Sequence, residues 1–131
     1  MIWIDFIVAR LFSPEHIRTA LARTLGMVES DVEVTDCIMH ASSSTRYLAE
    51  LAQLGGDFPL RVNLYVSSDQ PPGDSTQFLE GLSRELKEDI LTSDDSADPY
   101  SMLLISPNGK TRSVDLDVTS IDEYNEYRLA R

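Results

Sequence analysis

The sequence predicts an α+β fold, a two-layer sandwich in which a largely antiparallel sheet carries two main helices on one face. Three observations lead there. Residues 59–68 alternate apolar Leu60, Val62, Leu64 and Val66 with Arg61, Asn63, Tyr65 and Ser67. That period of two belongs to a strand with one face on a core. Two other segments repeat their apolar residues at helical spacing: Ile17, Ala20, Leu21 and Leu25 in the first, and Phe78, Leu79, Leu82, Leu86, Ile90 and Leu91 in the second. The turn sequences Gly55-Gly56-Asp57 and Pro107-Asn108-Gly109-Lys110 each separate two apolar runs, as hairpin turns do.

In chain order, Ile2 to Ala9 reads as the first strand, with Ile2, Ile4, Phe6 and Val8 on one face and Trp3, Asp5 and Ile7 on the other. Trp3 and Ile7 are too apolar for a wet face, so this strand is expected to be covered on both sides or to sit centrally. A helix over about Ser13 to Leu25 follows. Ser13 is a good N-cap, Pro14 suits the first helical position, Glu15 favours the positive end of the dipole, and Gly26 is the C-cap. Asp31 to His40 is expected as a strand whose alternation slips near Asp36, and Ala41 to Thr45 as a polar loop.

Tyr47 to Leu54 has helical propensity, but the glycine turn after it favours a strand paired antiparallel with the segment at Leu60. Ser68 to Ser75 is a loop, and Asp74 or Ser75 caps the second helix, where Glu80 and Arg84 are spaced to pair. Thr92 to Pro99 reads as an acidic connection, Tyr100 to Ser106 and Thr111 to Val118 as a hairpin, and Ile121 to Arg131 as a short closing helix that docks Tyr124, Tyr127 and Leu129. The order β-α-β-(β)-β-α-β-β-α resembles a ferredoxin-like split unit extended by hairpins. All 131 residues are expected to form a single domain.

Composition bounds the function. The chain is 42% hydrophobic and 25% charged, has one cysteine, and has no apolar run near the length of a membrane span. The N-terminus lacks a basic region and Asp5 breaks its apolar run, so it reads as a mature strand rather than a signal sequence. These features point to a cytoplasmic protein. Eleven Lys and Arg oppose twenty-two Asp and Glu, a formal net charge of -11. Such a field repels nucleic acid and anionic membranes and attracts basic partners; the plain alternative is that it serves solubility.

Motifs for chemistry are lacking. His16 and His40 have no ligand spacing, Cys37 with His40 is half a metal site, and no glycine pair matches a phosphate cradle. Ser42, Ser43 and Ser44 lack a nucleophile elbow. No catalytic residue, metal or cofactor is therefore predicted. Asp115 and Asp117, about 7 Å apart on one strand face, suit a cation or acid–base work, or simply the wet face of an edge hairpin.

Two acidic clusters remain as candidate partner-binding surface. The first is Glu85, Glu88 and Asp89 at the end of the second helix, with Asp94, Asp95 and Asp98 in the loop beyond; acids at the negative end of a helix dipole are mildly unfavourable. The second is Asp115, Asp117, Asp122, Glu123 and Glu126, interleaved with Tyr124 and Tyr127. Aromatic side chains inside an acidic rim suit the capture of a basic protein; a solvated face with the tyrosines packed down is the other reading.

In size, acidity, α+β organisation and lack of a catalytic motif, the whole chain resembles the small immunity proteins of bacterial contact-dependent and polymorphic toxin systems. The resemblance implies a protein that binds a basic toxin domain, steered by charge, and occludes its active site with acidic groups in place of nucleic-acid phosphates. A second class is a ligand-binding or regulatory ferredoxin-like homodimer, with Trp3 and Ile7 as its interface. A hydrolase built on clustered carboxylates is a third.

Overall fold

The alternation at residues 60–66 becomes the strand it predicts, buried at Leu60, Val62, Leu64 and Val66 and half-buried at Arg61, Asn63 and Tyr65. The computed structural model describes residues 2–36, 46–67 and 73–130. Its elements are β1 (Ile2–Val8), α1 (Pro14–Leu25), a 3-10 turn (Glu29–Asp31), β2 (Val32–Thr35), β3 (Tyr47–Gln53), β4 (Leu60–Val66), α2 (Ser75–Leu86), β5 (Ile90–Ser93), β6 (Ser101–Ile105), β7 (Thr111–Asp115) and α3 (Val118–Tyr124).

The strands form one seven-stranded open sheet in the order β2-β3-β4-β1-β5-β6-β7. Every neighbouring pair is antiparallel except β2 with β3. The α+β expectation holds, with both main helices on one face. Two helical crossovers interleave: β1-α1-β2 spans β4 and β3, and β4-α2-β5 spans β1. This leaves β1 and β4 in the middle, where β4 is paired along its full length with β3 and over residues 60–65 with β1.

Two cores sit on opposite faces of the sheet. The larger packs Ile17, Ala20 and Leu21 of α1 and Phe78, Leu79 and Leu82 of α2 onto Phe6, Val8, Val62, Leu64 and Ile105. Both helices have the caps the sequence foretold. Ser13 Oγ accepts from the His16 amide, Gly26 adopts the left-handed region, and Asp74 accepts from the Thr76 amide. The smaller core joins Ile7, Leu91, Leu104 and Val114 to Phe58, Leu116, Tyr127 and Leu129. It is closed by the β3–β4 turn and the C-terminal tail rather than by a main helix.

Several expectations are corrected. Helix α2 stops at Leu86, where Lys87 turns left-handed (φ 57°) and the Ser83 hydroxyl donates to the carbonyls of Glu88 and Ile105. Ile90 and Leu91 therefore open a strand, one buried in each core, and Thr92 and Ser93 belong to it. Trp3 joins the helical face, not the second: a bulge between Ile2 and Ile4 resets the alternation, and its ring centroid lies 4.9 Å from that of Phe78. β2 begins at Val32 and ends at Thr35; the expected extension to residues 37–40, with Cys37 and His40, and the loops at 41–45 and 68–72 lie outside the described residues. β7 ends at Asp115, and the closing helix begins at Val118, so Tyr127 and Leu129 are in extended tail instead. Glu80 and Arg84 form no ion pair; Arg23 pairs with Glu85 and Arg10 with Glu88 instead, both at 3.8 Å.

Candidate interaction surface

The two acidic clusters do not survive as units. Glu85 ends α2 and pairs with Arg23 of α1; Glu88, in the turn after α2, pairs with Arg10. Asp89 sits in the same turn, its carbonyl accepting from the Ala9 amide at 3.0 Å. Asp94, Asp95 and Asp98 lie beyond the opposite end of β5, roughly 10 Å or more away at the rise of an extended chain. The first cluster is thus divided between two ends of the sheet, and in its helix-side half Glu85 and Glu88 each face an arginine.

The other half is joined by part of the second cluster. The β5–β6 loop is tied by its own side chains. Asp94 accepts from the Ser101 hydroxyl and from the Ser96 amide (3.0 Å), and Asp98 accepts from the Tyr100 amide (2.9 Å). The Tyr100 hydroxyl then donates to Asp122 of α3 at 2.8 Å, fastening loop to helix. These bonds stabilise ionised carboxylates: the Ser101 hydroxyl foremost, then the Ser96 amide, holds Asp94 below the usual carboxyl range. The hydrogen bond to Asp122 foremost, since it is lost with the proton, raises the Tyr100 hydroxyl above its ordinary value.

Between loop and helix lies a groove of about 230 Å³, edged by Asp94, Ser96 and Asp98 and floored by Met102, Leu116, Ile121 and Tyr127. Asp122 and Glu123 are exposed on the helix beside it, and Tyr124 stands 66% exposed at its end. The two tyrosines have parted. Tyr124 projects into solvent, whereas Tyr127 packs on the smaller core.

Asp117 and Asp115 take other duties. Asp117 is not on a wet strand face; it caps α3, accepting from the Ser120 amide at 2.9 Å. That backbone bond is the main reason its carboxyl is held low. Asp115 alternates with buried Val114, is exposed at the sheet edge, and accepts through its carbonyl from the Ala130 amide at 2.8 Å. The expected shared face of Asp115 and Asp117 does not form.

The tail that carries Tyr127 is built into place. After the left-handed Asn125, Glu126 to Ala130 run extended between the β3–β4 turn and residues 115–117. Tyr127 bridges Gly56 and its carbonyl accepts from the Asp57 amide at 3.2 Å; Leu129 bridges Leu116. Arg128 pairs with Asp57 at 3.0 Å and with Glu126 at 3.5 Å. The glycines of this turn therefore do more than reverse the chain. A Cβ on Gly55 would run into Glu126 Oε2, and one on Gly56 would fall 3.0 Å from Glu126 Cβ.

A second cleft, about 210 Å³, adjoins the groove and shares Ser93, Met102 and Tyr127 with it; Asp5, Phe6, Ile7 and Arg61 complete its wall. It exists because the β1–β5 ladder is short, pairing only Ile7 with Leu91 and Val8 with Ile90. Beyond it the Thr92 hydroxyl, donating to the Asp5 carbonyl at 3.0 Å, replaces a ladder bond. On the neighbouring strands Asn63 and Tyr65 approach Glu50 Oε1 at 3.3 and 3.5 Å. Burial first, then the Glu50 charge, raises the Tyr65 hydroxyl.

Sequence reading missed Asp5, Arg61, Tyr100 and Met102 as surface of this face. The signal was present for two of them: Asp5 interrupts an apolar run, and Arg61 lies on the polar side of the β4 alternation. Among the described residues no group of three His, Cys, Asp or Glu side chains gathers as for a metal, and no helix is long and apolar enough to cross a membrane. Comparison with protein-family models, curated proteins and solved structures finds no significant match to this chain.

Proposed function

We propose that this chain is an acidic protein-binding module, an immunity-type inhibitor that captures a basic toxin domain and occludes it. The observation that carries the reading is the groove between the β5–β6 loop and α3, where Asp94 and Asp98 edge an apolar floor of Met102, Leu116 and Ile121. In a molecule of net charge -11, the long-range field brings a cationic surface in, and the apolar floor with exposed Tyr124 retains it. The carboxylates are fixed beforehand by Ser96, Ser101 and Tyr100. Little side-chain freedom is then lost on docking, which favours affinity.

The interleaved crossovers β1-α1-β2 and β4-α2-β5 support a ferredoxin-like variant as the scaffold, and the reading carries with it a cytoplasmic site of action in a bacterial cell. A homodimer through Trp3 and Ile7 is less well supported, since Trp3 stacks on Phe78 and Ile7 is 4% exposed inside the smaller core.

The test is purification of the chain from its native cells at low ionic strength, about 0.01 M, followed by release at about 1 M. A basic protein is expected in the released fraction. Expressed alone it should arrest growth, and co-expression with this chain should restore it. Recovery of the chain by itself, as a symmetric dimer, would overturn the reading.

A further inference from the structure

The cleft at the end of the β1–β5 ladder is distinct from the acidic groove in one respect: it contains both signs of charge. Asp5 comes from β1 and Arg61 from β4, and both face the second side of the sheet. Ile7 stands opposite Arg61, and Asp5 opposite Asn63, so Asp5 and Arg61 are diagonal neighbours. Such neighbours are about 7–8 Å apart, somewhat less between Cβ atoms. Opposite charges so placed would ordinarily pair. Here neither side chain makes a hydrogen bond or ion pair within the described residues; the ion pairs present join other partners. The rest of the wall is Phe6, Ile7, Ser93, Met102 and Tyr127, with two side-chain hydroxyls among apolar groups.

We propose that this cleft binds a free α-amino acid with an apolar side chain. The ammonium group meets Asp5 and the carboxylate meets Arg61, whose planar fork is suited to carboxylates. Two charge-assisted bonds of about 2.8 Å, with about 3 Å between the nitrogen and a carboxylate oxygen of the amino acid, span at most about 8–9 Å between head groups, a separation that the flexible Arg61 side chain can set beside a diagonal neighbour. The side chain lies on Met102 and Tyr127. A volume of about 210 Å³ suits a small metabolite, below the roughly 300–1,000 Å³ of sites for larger ligands. A partner polypeptide fits less well. An internal peptide segment carries neither backbone charge, and an arginine or lysine side chain would engage Asp5 and leave Arg61 facing a like charge.

The proposal does not depend on a toxin partner and is tested without one. The full chain is titrated with L-leucine, L-methionine, L-valine and L-phenylalanine, and its amide resonances and binding heats are followed. At least one of the four should bind in the millimolar range or tighter, shifting the resonances of Asp5, Ser93, Met102 and Tyr127. For that amino acid, the N-acetyl and the carboxamide derivatives should each bind at least about tenfold more weakly, since each removes one of the two charge-assisted contacts, to exposed Asp5 or to half-buried Arg61. Asp5→Asn and Arg61→Gln should reproduce those losses while the melting temperature stays close to that of the parent. Absence of binding by all four, derivatives that bind as well as the parent, or shifts confined to another face would each overturn the proposal. The derivative series uses the unaltered chain, so it decides the matter even if a variant fails to fold.

Discussion

Gly56 holds its backbone at φ +86°, a region where a side chain is strained, and it lies against Glu126 and the Tyr127 backbone. The same position therefore serves the hairpin and the docking of the tail. Gly56→Ala should lower stability by about 1–2 kcal/mol for the left-handed backbone alone, and more for the displaced tail. Gly55→Ala should cost less, because the atom it meets first is the far end of a flexible glutamate. Chemical denaturation of the two variants checks the order. Acid sensitivity is also set by single residues. Asp94 and Asp117 have folded values below the ordinary 3.8. Their contribution is thus fully present above that value and is lost as pH falls through the lower folded value. Melting temperature followed from about pH 6 to about pH 2 should fall less steeply for an Asp94→Asn, Asp117→Asn double variant than for the parent. The asparagine oxygen still accepts from the Ser120 amide, so the α3 cap survives at neutral pH. An equal slope in the two proteins would show that other carboxylates govern the acid limb.

At the scale of elements, what the sequence made legible was whatever rests on local rules. Capping by Ser13, Gly26 and Asp74, the alternation of β4 and the two glycine turns are all short-range, and each appears where its residues put it. What failed depends on the far side of the sheet. Ile90 and Leu91 continue the helical period of Leu82 and Leu86, so periodicity alone extends α2 through them. They leave the helix because two cores await them: Ile90 packs beneath the helices and Leu91 on the opposite face. The same hidden core draws Tyr127 and Leu129 out of the closing helix into an extended tail, and a single bulge at Trp3 moves its ring to the helical side. The acidic groove was half legible. Its loop carboxylates stand out in the sequence, but their separation from Glu85 and Glu88 follows only from the path of β5. A direct check is available. Ile90→Ala and Leu91→Ala should each cost about 2–5 kcal/mol, as truncations of fully buried side chains do. Were the helix to run on through them and leave one of the two wet, the pair would differ sharply. Midpoints of urea unfolding, with unchanged slopes, measure it.

At the scale of the whole molecule the question is whether net charge or its arrangement matters. A charge of -11 accelerates encounter with any cationic protein, and this part of the effect is indifferent to which carboxylate is removed. The structure separates the two contributions. Glu85 and Glu88 lie on the helix side beside Arg23 and Arg10, while Asp95, Asp122 and Glu123 are exposed around the groove. Neutralising Glu85 and Glu88 to glutamine and neutralising Asp95 and Asp122 to asparagine change the total charge equally. Asp95 already has a positive φ of 60°, which asparagine accepts readily, so the second variant should fold. Against a basic partner, the groove variant should lose about tenfold or more in association rate at low ionic strength, with the deficit closing as salt is added. The helix-side variant should lose only the small amount its net charge requires. Stopped-flow association measured across ionic strength distinguishes them. Equal losses would mean that the acidity acts as a diffuse field and that the groove is not where the partner lands.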